Sequence, residues 1–281
     1  MAGGVGSRLY PLSTPEHPKQ FIDLLGCGKT MIQLTYERFL AVDPEAIFWV
    51  VTSAGYTHFV KEQLPDIPDE RILPEPATRN TAPCIAYAGW KIMKKYPDAN
   101  IVVTPADAYV PDNTAFSATV GKALQFSRSN EAIVCIGITP SAPCTQYGYI
   151  QAPKSDDVVK VISFKEKPDA ATAERYLEEG GYFWNAGIFV WTARTLENAI
   201  RRHAAQIAGI MDRIYEAFYT ENEGKALEEM FPECEKISID YAVMEKSDNV
   251  HTIAGNWLWS DLGSIEAVKK ITGNPKILQN N

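Results

Sequence analysis

The chain begins with Gly3-Gly4-Val5-Gly6-Ser7-Arg8-Leu9-Tyr10-Pro11-Leu12, and Pro18-Lys19-Gln20-Phe21 follows shortly after. Three glycines in this short stretch let the backbone turn tightly and bring its N–H groups close to an anion. Arg8 and Lys19 add positive charge to the same neighbourhood. The glycines alone fit a flexible turn equally well, but together with the two cations they favour a loop that holds a polyphosphate.

Short apolar runs alternate with helical patterns through the first half of the chain. Residues 47–51, 101–103, 132–136 and 158–164 are typical of strands. Between them, apolar residues recur on one helical face in two segments, around 32–40 and 85–96. This alternation predicts an α/β fold with a Rossmann-like mixed, mostly parallel sheet flanked by helices. In such sheets, ligands bind at the carboxyl ends of the strands.

The pattern changes after about residue 145, where strand patterns at 147–151, 158–164 and 183–191 follow one another closely. A long helical stretch covers about 193–230. We therefore predict one continuous domain over 1–272, with a first lobe over about 1–145 and a β-rich lobe over about 146–272. The tail, 273–281, carries a turn signal and polar residues and is predicted to fray.

Composition excludes several classes of protein. The 281 residues are 46% hydrophobic, as in globular proteins, and no apolar run approaches the length of a membrane span. The net charge of −8 argues against nucleic acid as the main partner. Five widely spaced cysteines, without metal or redox spacing, predict reduced thiols in a cytoplasmic protein. We expect no signal peptide, because the glycine-rich start lacks an apolar core.

Two aspartates follow predicted strands or precede turns where a ligand could bind. Asp107 comes just after the strand at 101–103, and Asp261 precedes a glycine turn and a helix that starts near Ile265. Mg²⁺ is usually bound by one or two carboxylates together with substrate phosphates. Either aspartate could instead cap or turn the chain, so both interpretations stay open at this point.

Further polar residues lie in three segments, two of which favour ligand contacts. Lys165-Glu166-Lys167-Pro168 ends a strand, where one lysine could reach a phosphate and Glu166 could accept hydroxyls, or the charges could lie on an ordinary surface. Asn185 stands among aromatic and small residues, so a hydroxylated ligand or neighbouring backbone must satisfy its amide. Asp240 lies at a predicted helix start and is expected to be structural.

The segment 75–83 leads into a predicted helix that Asn80 or Thr81 can cap and that Pro83 suits in its first turn. Free N–H groups at a helix start favour anions and electron-rich ring atoms. Arg79 and Asn80 can offer the directional donors that a guanine edge accepts.

Taken together, these segments resemble the sugar-1-phosphate nucleotidylyltransferases, in the family's order and over essentially the whole chain. The resemblance is greatest to members that use GTP and mannose 1-phosphate. It implies the nucleotide-diphospho-sugar transferase fold, with the first lobe binding nucleotide and the second binding sugar phosphate. It also implies transfer of GMP from GTP to mannose 1-phosphate, giving GDP-mannose and pyrophosphate by in-line attack on the α-phosphorus. Mg²⁺ or another divalent cation is implied as cofactor, in a cytoplasmic enzyme that could be a homodimer.

The resemblance also assigns roles to individual residues. Arg8, Lys19 and Lys167 are the implied catalytic cations, and Asp107 and Asp261 the implied metal ligands. GTP is implied to be held by Gly3, Gly4, Gly6, Ser7, Arg79, Asn80 and Thr81. The sugar phosphate is implied to be held by Gly148, Glu166 and Asn185.

The chain departs from the family's pattern at three points. The glycine loop starts at residue 3, whereas the family's loop follows a central strand. Ala108 stands where the family has a histidine, and Ile265 stands where an aromatic residue is common. Two alternatives are the same fold with another nucleotide or sugar 1-phosphate, and a weakly catalytic subunit that senses GDP-mannose. The presence of Asp107, Lys167 and Asp261 favours catalysis.

Overall fold

The computed structural model describes residues 1–165 and 167–273. The helices within these ranges are α1 (Met31–Leu40), α2 (Thr57–Gln63), α3 (Thr81–Lys95), α4 (Asn113–Ser129), α5 (Ala170–Glu179), α6 (Ala193–His203), α7 (Ala205–Tyr215), α8 (Glu223–Met230) and α9 (Ile265–Thr272). The strands are β1 (Val50–Ser53), β2 (Ile72–Glu75), β3 (Asn100–Val103), β4 (Ile133–Ile138), β5 (Tyr149–Gln151), β6 (Val159–Lys160), β7 (Ser163–Lys165), β8 (Tyr182–Thr192) and β9 (Val250–Gly255). A π-helical turn covers Asp240–Met244.

The chain divides into two compact units, and each is built from separate stretches of sequence. Unit 1 contains Met1–Pro74, Pro105–Ser117 and the segment that begins at Trp257, whereas unit 2 contains Glu75–Thr104 and Ala118–Asn256. The functional lobes expected at 1–145 and 146–272 follow the chain continuously and remain a prediction. The predicted tail lies, apart from Gly273, outside the described residues.

Unit 1 packs α1, α2 and α9 around the segments that flank the glycine loop. Ala2, Phe21 and Ile32 share one buried cluster with residues of β1 and α2, and Leu9, Met31 and Leu262 share another with α9. The N–H of Ala2 donates to the Val51 carbonyl at 2.7 Å, and the N–H of Ala106 donates to the Met1 carbonyl at 2.9 Å. The residues just before the loop are therefore held between β1 and the segment that carries Asp107.

Unit 2 contains a seven-stranded sheet with the order β6-β9-β4-β8-β5-β7, in which β3 also pairs with β8. All six residues of β4 are buried, as expected for a central strand. The mixed α/β fold is confirmed, but the balance of strand directions differs from the expected mostly parallel sheet. Among the described residues, β4 and β9 pair in parallel, and the other pairings of this sheet are antiparallel. The reason is β8, an 11-residue strand that runs antiparallel to β3, β4 and β5.

Side-chain caps explain where several helices begin. Thr30 and Gln33 form a capping box at α1, and Asn80 caps α3 by accepting the Thr81 N–H at 2.8 Å. Ser264 caps α9 by accepting the Ala267 N–H at 3.2 Å. In the part of the chain that the structure describes, no helix combines the length and apolar character needed to cross a bilayer.

Candidate functional site

The glycine loop has a conformation that other residues would find strained. Gly4 and Gly6 have φ values of 89° and 60°. A Cβ on Gly6 would lie 2.8 Å from Ser13 Oγ and 3.0 Å from Lys19 Cβ, so only glycine fits there. The Ser13 hydroxyl donates to the Val5 carbonyl at 2.7 Å. This hydrogen bond anchors the loop at Val5.

The loop leaves backbone donors available to a ligand. Gly3, Gly4 and Val5 are exposed, and within residues 1–165 and 167–273 their N–H groups donate to no other residue. The Gln20 amide donates to the carbonyls of Ala2 and Gly4, at 2.9 and 3.2 Å, so carbonyls rather than N–H groups are bonded to the protein. Adjacent unpaired N–H groups around left-handed glycines form a concave anion site.

Four charged side chains gather within unit 1. Lys19 is almost fully buried, and its ammonium lies 2.9 Å from Asp107 Oδ2 and donates to the backbone carbonyl of Asp261. Arg8 is largely exposed and lies 3.7 Å from Asp261 Oδ2. The structure thus brings together Arg8, Lys19, Asp107 and Asp261, which the sequence analysis selected from distant positions.

Backbone pairing and local strain position the two aspartates. Tyr109 and Ser260 exchange backbone hydrogen bonds of 2.8 and 3.2 Å, which align the segments that carry Asp107 and Asp261. The Asp261 carboxylate accepts the Gly263 N–H at 2.9 Å, and a Cβ on Gly263 would lie 2.5 Å from Asp261 Oδ2. Leu262, which lies between Asp261 and Gly263 in the chain, has a φ of 46°, a left-handed conformation that is costly for a branched residue.

Ala108, one of the departures from the family's pattern, is buried next to Asp107. Its carbonyl accepts a hydrogen bond of 3.1 Å from the buried guanidinium of Arg38. Burial lowers the pKa of Arg38 to about 10. This contact fixes the backbone beside Asp107 without a histidine side chain.

In unit 2, the residues at the start of α3 are tied to the segment 232–239. The Arg79 guanidinium donates to the Pro232 carbonyl, and the Thr81 hydroxyl accepts the Ile239 N–H at 2.8 Å. Asn80 is exposed and has a φ of 69°, another left-handed conformation that is unusual outside glycine. Residues in such conformations are concentrated at functional sites.

The expected free N–H groups at this helix start are largely used within the protein. Thr81 N–H is bound by the Asn80 side chain, Ala82 N–H donates to the Ile237 carbonyl at 3.1 Å, and Pro83 has no N–H. The helix terminus is therefore a weaker anion site than the sequence suggests, and side chains must supply most of the donors.

Glu75, at the start of this segment, is a half-buried acid that the sequence does not single out. Its Oε1 is buried and has no hydrogen-bond partner among the described residues. Burial raises the pKa of Glu75 to about 7. The charge of Glu75 also adds to burial in raising the pKa of the Cys84 thiol, so the carboxyl lies near the first turn of α3. The sequence signal was weak because Glu75 precedes a proline in a polar stretch.

Asn185, on β8, is joined to two other parts of unit 2. Its backbone N–H donates to the Gly148 carbonyl at 2.8 Å, and its side-chain Nδ2 donates to Asp240 Oδ1 at 2.9 Å. Its Oδ1 accepts the N–H of Gly187, which has a φ of 70°, at 3.0 Å. Gly148 and Asn185 are thus neighbours, and Asp240 contacts Asn185.

The segment 165–168 contains two further candidates. Lys167 is exposed and has a φ of 41°, a strained conformation for a lysine. Glu166 lies outside the described residues.

The fold and these contacts are those of an α/β protein with a glycine loop whose N–H groups are unpaired among the described residues, two nearby carboxylates and a buried lysine. The comparisons with known proteins agree. The family model described as nucleotidyl transferase matches residues 1–277, so the chain belongs to the nucleotidyl transferase family.

Relatives with assigned names extend this result. The chain is 35% identical over 277 residues to a putative mannose-1-phosphate guanylyltransferase of Vibrio cholerae, covering 97% of this chain and 59% of that protein. It is 35% identical over 285 residues to the mannose-1-phosphate guanylyltransferase of Escherichia coli K12, covering 98% of this chain and 59% of that protein. A crystal structure from Thermus thermophilus, titled mannose-1-phosphate geranyltransferase, is 32% identical with a TM-score of 0.87, covering 98% of this chain and 78% of that one. The chain spans little more than half the length of these two curated relatives.

Proposed function

We propose that this chain transfers GMP from GTP to mannose 1-phosphate, giving GDP-mannose and pyrophosphate. The observation that carries the proposal is the gathering of Lys19, Asp107, Asp261 and Arg8 in the unit that holds the unpaired N–H groups of the glycine loop. The names of the relatives at about one third identity support the particular substrates.

The proposed reaction requires alignment of two anions rather than a general base. A sugar phosphate is already ionised at neutral pH, so one of its oxygens can attack the α-phosphorus directly, with pyrophosphate leaving on the opposite side. Charge spreads over the phosphoryl oxygens during this step, and fixed cations and backbone dipoles stabilise it. On this account Gly3, Gly4, Gly6 and Ser7 hold the GTP phosphates through the backbone, while Arg8, Lys19 and Lys167 offset their charge.

Asp107 and Asp261 are the residues that fit a divalent cation. Both carboxylates are about one third exposed, and Lys19 contacts the carboxylate of the first and the backbone carbonyl of the second. Within the described residues there is no group of three or more potential metal-ligating side chains, so substrate phosphates would complete the coordination. Mg²⁺, when bound, would neutralise phosphate charge and orient the phosphates.

The base and the sugar are assigned to residues of unit 2. Arg79, Asn80 and Thr81 are proposed to face guanine. Glu75 Oε1, which has no hydrogen-bond partner among the described residues, offers an acceptor for the N–H groups of the guanine edge. Gly148, Glu166 and Asn185 are proposed to hold the mannose hydroxyls. A hydrogen-bonding site of this kind discriminates strongly against a ligand that leaves its groups unpaired.

The setting of the enzyme is also a proposal. All five cysteines are free in the structure, which supports a reducing compartment such as the cytoplasm. A homodimer remains a prediction that light scattering of the purified protein would check.

Pyrophosphate release tests the proposal. Purified protein is supplied with Mg²⁺, mannose 1-phosphate and, in separate reactions, GTP, ATP, dTTP or UTP. Release with GTP alone, abolished by Asp107→Ala and unchanged by Asp66→Ala at an exposed aspartate, is the expected result. Release with another nucleotide would contradict the base assignment, and GDP-mannose binding without any release would favour the sensing subunit.

A further inference from the structure

The short segment 237–240 contacts both groups of ligand-facing candidates in unit 2. The Ile237 carbonyl and the Ile239 N–H bind Ala82 and Thr81 at the start of α3, at 3.1 and 2.8 Å. One residue later, Asp240 Oδ1 accepts Nδ2 of Asn185 on β8 at 2.9 Å. The segment thus links the residues proposed to face the base with the residue proposed to face the sugar.

The contacts of Asn185 allow only one orientation of its amide. A carboxylate can only accept hydrogen bonds and a backbone N–H can only donate, so Nδ2 must face Asp240 and Oδ1 must face the Gly187 N–H. A primary amide has two N–H donors and two acceptor lone pairs. Among the described residues, the half-buried Asn185 therefore keeps one amide donor and one acceptor lone pair that form no hydrogen bond within the protein.

The backbone of Asp240 belongs to a turn most of whose other residues are buried. Asp240 is the first residue of the π-helical turn Asp240–Met244, in which Ala242, Val243 and Met244 are at most 2% exposed. Turns of this type are rare in proteins and are frequently found at functional sites. The Asp240 carboxylate also lies near β4, since its charge adds to burial in raising the pKa of the Cys135 thiol.

We propose that Asp240 is a positioning residue for the sugar phosphate, which holds the Asn185 amide so that one N–H and one oxygen lone pair face adjacent hydroxyls of the sugar. The inference rests on the proposed function, because it assigns the ligand of Asn185 to the sugar. It gives Asp240 a role in discriminating between sugars, beyond the structural role expected from the sequence.

Equilibrium binding of GDP-mannose and of GDP separates the sugar contact from the nucleotide contacts. The wild type, Asp240→Ala, Asp240→Asn, Asn185→Ala and the double alanine variant are titrated with each ligand, and each variant's melting is recorded. Asp248→Ala, which removes an exposed carboxylate 3.5 Å from Arg202, is the matched control.

Asp240→Ala is expected to weaken GDP-mannose binding by about tenfold and to leave GDP binding unchanged, the size of one lost polar contact. In the Asn185→Ala background it should have no further effect, since it acts through Asn185. If Asp240→Ala does not fold, Asp240→Asn carries the test: it should weaken GDP-mannose binding by about threefold, and GDP binding not at all, because an amide no longer dictates the orientation of Asn185.

Equal losses for the two ligands, or additive losses in the double variant, would overturn the inference and leave a merely structural role for Asp240. Wild-type protein that binds GDP-mannose no better than GDP would also overturn it. Pyrophosphate release by the same wild-type sample then decides whether the proposed function stands without it.

Discussion

At the scale of single residues, Lys19 is the centre of the account. Its ammonium is almost inaccessible to solvent and is bound to both aspartate segments. Lys19→Met should lower kcat/KM by about 10²–10³-fold, since it removes a fixed cation from the reacting phosphates. It should also lower the free energy of unfolding by about 1–3 kcal/mol, because Asp107 loses its partner.

Rates of pyrophosphate release and urea unfolding curves measure both effects. The control is Lys29→Met, which breaks an exposed ion pair with Glu37 and should change neither quantity appreciably. Near-normal turnover in Lys19→Met would contradict the role given to this lysine.

Glu75 gives a pH-dependent prediction. Its pKa is about 7 in the folded protein against an ordinary value of 4.5, so the folded state binds more protons between these values. Stability contributed by the protonated carboxyl is therefore lost as pH rises from about 4.5 to 7. Glu75→Gln should be more stable than the wild type by about 2–3 kcal/mol at pH 8 and by little at pH 5.

Urea unfolding of both proteins at the two pH values checks this expectation. Glu62→Gln, at an exposed carboxyl, should show no such difference between pH 5 and pH 8. A Glu75→Gln effect that is the same at both pH values would mean that the carboxyl is ionised in the folded protein throughout.

At the level of structural elements, two properties of the glycine loop can be tested separately: its left-handed backbone and the lack of space for a Cβ atom. Gly6→Ala meets both a left-handed backbone and a contact of 2.8 Å with Ser13 Oγ, so it should destabilise the protein by about 1–3 kcal/mol and abolish turnover. Gly28→Ala has a similar φ of 81° but open space around it, so it should cost only the backbone strain and leave the KM for GTP unchanged. Melting temperatures and KM values for the pair measure the difference, and equal effects of the two substitutions on the KM for GTP would count against a phosphate-binding loop.

Elements that depend on neighbouring residues can be predicted from the sequence, whereas those that depend on distant strands cannot. The loop, the Asn80 cap and the strands at 101–103 and 132–136 follow from local rules, because glycine, capping residues and apolar runs act on their immediate neighbours. The direction of β8 does not, since it depends on pairing with three strands distant in sequence. The hydrogen bond that occupies the Ala82 N–H at the start of α3 does not follow either, because its partner is the carbonyl of the distant Ile237.

At the scale of the whole molecule, charged candidates could be selected from the sequence, but their partners could not. Lys19 and Asp107 were chosen separately, and only the fold shows that they form an ion pair. Glu75 does not stand out in the sequence because its distinguishing property is burial. Asp240 does not stand out because its partner is the amide of the distant Asn185. The family that the motifs indicated is confirmed by the match over residues 1–277.

The fate of the α-phosphate of GTP shows whether this chain transfers GMP to mannose 1-phosphate. Protein, Mg²⁺ and mannose 1-phosphate are incubated with GTP labelled at either the α- or the γ-phosphate, and the products are separated. We expect the α-label in GDP-mannose and the γ-label in pyrophosphate. Appearance of the α-label in free GMP or GDP, with none in a sugar nucleotide, would contradict this expectation.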